Sequence, residues 1–248
     1  MNNRVKKKLG IIGGVGPAAT ALLFERIIAH TKADTDQDHL PIAVLNYPEI
    51  IPDRTSSLLN ENTDALLDSL QSIAVTLEDL GCEVIALPCN TAHALFAEIE
   101  SVLHKAQLLH MPLEVAQSAH ESGVKKCGIL ATDGTLYSRV YEYALSEDAI
   151  EVVIPDENHQ ALVIGAIYEK LKAGYVLSED EIDALFTPFI QARCDGVVLG
   201  CTELSLLDTC ARFQELVVID ALDVLAQKCV LACGAQMRKN VSSCGCGK

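Results

Sequence analysis

The sequence predicts an α/β protein of two pseudo-symmetric α/β domains, each with a parallel central sheet, and a ligand site in the cleft between them. Three observations carry this expectation. Short apolar runs alternate with amphipathic segments along the 248 residues, as in parallel sheets covered by helices on both faces. The run Gly10-Ile11-Ile12-Gly13-Gly14 is echoed by Gly128-Ile129-Leu130-Ala131-Thr132-Asp133-Gly134-Thr135. Finally, Val84-Ile85-Ala86-Leu87-Pro88-Cys89-Asn90-Thr91 is echoed by Gly196-Val197-Val198-Leu199-Gly200-Cys201-Thr202-Glu203. Cys82 and Cys194 each stand seven residues ahead of the later cysteine, and each is followed by an acid, Glu83 or Asp195. The order and spacing indicate a duplicated unit of roughly 110–120 residues, too long for a solenoid repeat and suited to a small domain. The expected division is 1–115 plus 212–248 for the first domain and 116–211 for the second.

The strand expectations, in order, are Leu9–Ile12, Ile42–Asn46, Val84–Leu87, Cys127–Ala131, Glu151–Ile154, Val197–Leu199 and Leu216–Ile219. Between them, helical periodicity marks Ala18–Thr31, Asp64–Leu80, Ala92–Lys105, Leu113–Ser122, Leu136–Leu145, Asn158–Ala173, Glu179–Arg193 and Ala221–Gln236. The basic start (Arg4, Lys6, Lys7, Lys8) imitates a signal peptide, but glycines interrupt the apolar run after only four residues, Leu9 to Ile12. Gly13-Gly14-Val15-Gly16-Pro17 instead fits a strand, a glycine turn and a helix with proline in its first turn.

Composition narrows the partners. A net charge of −15 argues against nucleic acid and anionic membrane surfaces, and no apolar stretch is long enough to span a bilayer. The chain reads as cytoplasmic, so its ten cysteines are expected to be mostly reduced. Cys127, Cys210, Cys229 and Cys233 stand in apolar or helical contexts that suit small buried side chains. Cys244 and Cys246, in a Ser/Gly tail, match no zinc spacing, and no metal site is expected.

In each Cys89-type junction a thiol follows a strand and precedes a helix start, where N–H donors and the helix dipole favour thiolate. Ligands of parallel sheets bind at the carboxyl ends of the strands. Two such junctions in matching contexts therefore predict two thiols facing one substrate.

The segments Gly10-Ile-Ile-Gly-Gly-Val-Gly-Pro17, Asp36-Gln-Asp-His39, Ile51-Pro-Asp-Arg-Thr55, Leu87-Pro-Cys-Asn-Thr-Ala-His93, Leu130-Ala-Thr-Asp-Gly-Thr135, Val153-Ile-Pro-Asp156, Lys172-Ala-Gly174 and Leu199-Gly-Cys-Thr-Glu203 resemble the aspartate/glutamate racemase family, in particular its aspartate branch. The resemblance covers the chain to about residue 235, with the motifs in family order. It implies a cofactor-independent amino-acid racemase, a small dicarboxylic amino acid as substrate and a homodimer. In it Cys89 and Cys201 match the catalytic pair, and Arg54 and Lys172 match the carboxylate-binding cations.

The chemistry is consistent with such a pair. Racemisation takes the Cα proton from one face and returns one to the other, so each group serves as acid for one enantiomer and base for the other. Thiols suit both tasks, with an ordinary pKa of about 8.5 that neighbours can move, and their titrations are coupled. Carbanion charge spreads into the α-carboxylate, where donors must converge. Asn90, Thr91 and Thr202 are the candidates, with Thr132 and Asn46, expected at equivalent strand ends, in the second rank. Val15 is expected to contribute backbone contacts from the glycine-rich loop, at a position where the family often has Met. His93 and Glu203 have duller readings: a helix-orienting histidine and a first-turn acid.

Other readings make weaker use of these residues. Gly14-Val-Gly16-Pro-Ala-Ala19 satisfies a dinucleotide-binding pattern. However, no ribose-binding acid ends the second strand, which closes on Asn46-Tyr47-Pro48. A hydantoin racemase or maleate isomerase would share the fold, while a decarboxylase needs only one thiol. A non-catalytic amino-acid-binding protein would show no proton exchange.

Overall fold

The computed structural model describes residues 6–239 except 208, 210, 211 and 214. Cys210, Cys244 and Cys246 lie outside the described residues. Two four-stranded parallel sheets have the same order, β2-β1-β3-β4 and β6-β5-β7-β8. Their strands are β1 Leu9–Gly13, β2 Ile42–Asn46, β3 Val84–Ala86, β4 Gln107–Leu108, β5 Lys126–Leu130, β6 Glu151–Val153, β7 Gly196–Leu199 and β8 Val217–Asp220. The repeat is thus visible in the topology: β1 corresponds to β5, β2 to β6 and β3 to β7.

The helices are α1 Pro17–His30, α2 Arg54–Leu59, α3 Asp64–Asp79, α4 Phe96–Glu100, α5 Met111–Glu121, α6 Asp133–Ser138, α7 Val140–Ser146, α8 Glu157–Ile164, α9 Glu179–Gln191 and α10 Ala221–Ala232. Helices α1, α5, α7 and α10 form a middle layer whose apolar residues share one core with β1, β3, β5, β7 and β8. Leu66, Leu70, Ile73 and Leu77 of α3 cover the outer face of the first sheet. Residues of α8 and α9, including the buried Phe186 and Phe189, cover the outer face of the second. Each such side chain contributes about 1.5–3 kcal/mol on leaving water, so the middle layer welds the two halves into one body. Strand β8 pairs with β7 in the second sheet, although it follows residue 212, where the sequence places a return to the first domain. The return is made by α10, which packs on α1 and α5.

Three helical expectations change in detail, and one helix is new. Ala92–Lys105 becomes a 3-10 turn, Thr91–Leu95, and the short α4. Beyond the end of α4 the carboxylate of Glu78 accepts from the N–H groups of His104, Lys105 and Ala106, holding them out of a helix ahead of β4, a strand the sequence did not announce. Leu136–Leu145 is two helices, broken where Arg139 adopts a left-handed conformation, φ 57°. Asn158–Ala173 passes from α8 into a π-helical segment, Gly165–Leu171. Helix α2 was not anticipated; Asp53 caps it by accepting from the Ser56 N–H at 2.7 Å.

Candidate active site

Both junction cysteines lie at the carboxyl ends of equivalent strands, Cys89 beyond β3 and Cys201 beyond β7, and both are buried. They line one pocket together with Val15, Arg54, Asn90, Thr91, Thr132, Lys172 and Thr202. Nine of the ten residues selected from the sequence therefore converge. Asn46 does not: it is exposed and closes β2, the edge strand two positions from β3. At about 4.8 Å per strand, that edge is too remote to face Cys89. The expected equivalence of Asn46 and Thr132 is also corrected, because Thr132 follows β5, whose counterpart is β1. The glycine loop carrying Val15 is the true counterpart of Thr132.

The helix starts expected beside the thiols are five-residue 3-10 turns, Thr91–Leu95 and Thr202–Leu206. So short a turn supplies little dipole, and charged neighbours differentiate the two thiols instead. The Cys201 thiol donates to Glu203 Oε2 at 3.0 Å. Burial, then the Glu203 charge and this hydrogen bond, push its pKa well above the ordinary value and keep it protonated. Cys89 lies instead beside a cation, Arg54. Burial opposes the charge of that guanidinium, but its interactions with Cys89 and Asp53 outweigh it and raise the Arg54 pKa.

Donors surround the thiols. The Asn90 amide is almost completely buried; its Oδ1 accepts from the Tyr141 hydroxyl, and its Nδ2 has no partner. Tyr141 stays protonated because burial drives its pKa upward, so it fixes the amide with the NH2 group free. An unpaired buried donor costs about 1–3 kcal/mol, a cost that any ligand acceptor reaching it would remove. Thr91 and Thr132 hydroxyls lie 3.1 Å apart, and each bonds the Thr135 hydroxyl, at 2.7 and 3.1 Å respectively. This cluster joins the two halves across the pocket. Gly134 permits the approach, since a Cβ there would lie 2.8 Å from Thr55 Cα.

Lys172 ends the π-helical segment with its ammonium 4.2 Å from the Tyr168 ring centroid and 3.8 Å from Glu203 Oε1. Asp53, Thr55, Tyr168, Gly200 and Glu203 also line the pocket. Asp53 and Thr55 belong to a motif without an assigned role, and for Glu203 the sequence leaves a first-turn helix acid and a substrate contact both open. Tyr168 carried no sequence signal, because its position depends on π-helical geometry. His93 proves structural: Nδ1–H donates to the Cys89 carbonyl at 2.8 Å, and Nε2 accepts from the Met111 N–H at 3.2 Å. Complete burial lowers its pKa to about 4, so it is neutral. Among the described residues no group of three or more His, Cys, Asp or Glu is arranged to hold a metal. No helix there is long and apolar enough to cross a membrane.

A doubled α/β fold with a thiol at equivalent strand ends of each half defines the class of two-lobed racemases and their relatives. The chain belongs to the Asp/Glu/hydantoin racemase family, whose model matches residues 12–229. It is an amino-acid racemase of the pyridoxal-phosphate-independent kind. It is 28% identical over 230 residues to the broad specificity amino-acid racemase RacX of Bacillus subtilis, spanning 90% of this chain and 96% of that one. The solved aspartate racemase of Picrophilus torridus superposes with a TM-score of 0.77 at 32% identity, covering 94% of this chain and 96% of its own. An aspartate racemase homologue from Pyrococcus horikoshii shares the fold, with a TM-score of 0.76 at 24% identity, covering 92% and 99% of the two chains.

Proposed function

We propose that this racemase interconverts L- and D-aspartate, with glutamate as the nearest alternative substrate, by two-base proton transfer between Cys89 and Cys201. The observation that carries the proposal is the unequal protonation environment of two buried thiols in one pocket: a guanidinium beside Cys89 and a carboxylate on Cys201. In the resting enzyme Cys89 is the base and Cys201 the acid. The Cys89 thiolate takes the Cα proton of one enantiomer, and the Cys201 thiol delivers its proton to the opposite face. The enzyme is left with the protons exchanged, ready for the other enantiomer.

Charge developing at Cα passes into the α-carboxylate, where the free Asn90 Nδ2 and the Thr91, Thr132 and Thr202 hydroxyls donate. Arg54 and Lys172 hold the second carboxylate. The planar fork of Arg suits two oxygens, and Lys acts as a point charge. The name of the Picrophilus relative supports aspartate, and that of the Bacillus relative supports a wider range. The family resemblance further supports a homodimer in the cytoplasm, which sedimentation and fractionation test.

The decisive experiment is Cα-proton exchange in D2O, followed by NMR, with L-aspartate, D-aspartate and L-glutamate offered separately to the reduced, metal-free protein. Exchange with appearance of the opposite enantiomer is the expected result. No exchange with any of the three overturns the dicarboxylic reading.

A further inference from the structure

The pocket between the thiols is narrow: about 20 Å³ is open to the centre of a water molecule, room for one or two waters. Immediately beyond it lies an annex of about 360 Å³ on the same measure. The two share Arg54, Lys172, Thr202 and Glu203, which form a polar collar between them. Past the collar the walls become apolar, with Pro17, Ala18, Leu22, Pro48, Leu171 and Leu206. The chain builds both sides of the collar from the same segments. Leu171 faces the annex where its neighbour Lys172 also reaches the pocket, and Leu206 stands three residues beyond Glu203 on one 3-10 turn. The wall at Gly16 is uncrowded: a Cβ there would stand 3.7 Å from Glu203 Oε1, in ordinary van der Waals contact.

We propose that this annex receives the side chains of neutral amino acids longer and more apolar than aspartate, of methionine or leucine size. The enzyme then racemises that class in addition to the dicarboxylic one. The proposal rests on the racemase reading of the same pocket. With Cα held between the thiols, the carboxylate of aspartate stops at the collar, whereas a longer apolar chain passes it and leaves water for the annex walls. Two features of the collar make this passage possible. Lys172 is partly neutralised by Glu203 and covered by the Tyr168 ring face, and Arg54 has the Asp53 carboxylate as its neighbour, so neither collar cation stands isolated.

The test is D2O exchange with L-methionine and L-leucine beside L-aspartate, in the wild-type protein and in Ala18→Phe. Ala18 lines the annex and is exposed near the start of α1, so a larger ring there adds bulk at the annex without displacing core side chains. Exchange of the neutral amino acids by the wild type is expected. Ala18→Phe should lower the methionine-to-aspartate rate ratio at least about tenfold, the discrimination typical of a methylene or more of lost pocket. Exchange of aspartate alone overturns this inference and leaves the aspartate reading standing, whereas no exchange with any amino acid overturns both. An unchanged ratio in Ala18→Phe also overturns it. So does a variant whose main effect is a changed sedimentation coefficient, which would assign the annex to contact with a second copy of the chain.

Discussion

The turn after Cys89 and the turn after Cys201 begin as the same local structure and are held by opposite means. Four residues beyond Cys89, the neutral ring of His93 grips the Cys89 carbonyl and the Met111 N–H. The corresponding position beyond Cys201 is Ser205. Its hydroxyl donates to Asp220 Oδ1 at 2.7 Å, and its carbonyl accepts from Arg26 Nη2 at 2.8 Å. Arg26 in turn forms a buried ion pair with Asp220 at 2.6 Å. A cation faces one thiol and a carboxylate the other. Equivalent positions of the two halves thus carry thiols in unlike surroundings, and the proposed assignment of base and acid rests on that difference.

Removing either thiol gives the sharpest break. Cys89→Ser and Cys201→Ser should each lower racemisation about 10²–10⁴-fold, the usual contribution of a positioned acid or base. Residual D2O exchange should survive mainly for the enantiomer whose Cα–H faces the remaining thiol, with opposite preferences in the two variants. Equal residual exchange of both enantiomers would reject a thiol on each face. Next in size is Arg26→Met, which leaves Asp220 buried without its cation. A loss of about 3–5 kcal/mol in unfolding free energy is expected, read by denaturant titration, because the Cys201 turn hangs on this pair.

The His93 side should fail differently, through acid. Its folded pKa of about 4 lies below the ordinary 6.5, so the unfolded chain binds more protons between these values. Stability is therefore full above about pH 6.5 and falls as the pH drops towards 4. The loss is about 3 kcal/mol at most for a shift of this size. Unfolding titrations between pH 7 and 4 check it, and His93→Gln should flatten the slope.

Much of this contrast was legible in the sequence because it is local. The strands and both thiol junctions stand in short apolar runs whose boundaries moved by only a residue or so. Asn90 arrived in the pocket because it flanks such a run, whereas Arg54 and Lys172, which stand at helix ends, were legible only through their motifs. What escaped depends on long-range geometry. Asn46 ends a strand of the right type, yet the strand order puts it on a sheet edge. Arg26 and Asp220 are far apart in the chain and meet only when α1 packs on α10. Tyr168 reaches the pocket only through a π-helical segment, and nothing in its neighbours encodes that wider turn.

Glu203→Gln gives the smallest effect and tests the asymmetry most directly. The amide keeps the shape and an acceptor for the Cys201 thiol but removes the negative charge that, after burial, holds its pKa up. Cys201 should then lose its proton at lower pH, and the alkaline limb of kcat/KM, which reports the free enzyme, should move down. Because a racemisation has an equilibrium constant of one, kcat/KM must stay equal for the two enantiomers, and the shift must appear identically in both profiles. An alkaline limb that stays in place would mean that the Glu203 charge does not govern the Cys201 proton. The charge difference between the two thiols would then rest on Arg54 alone.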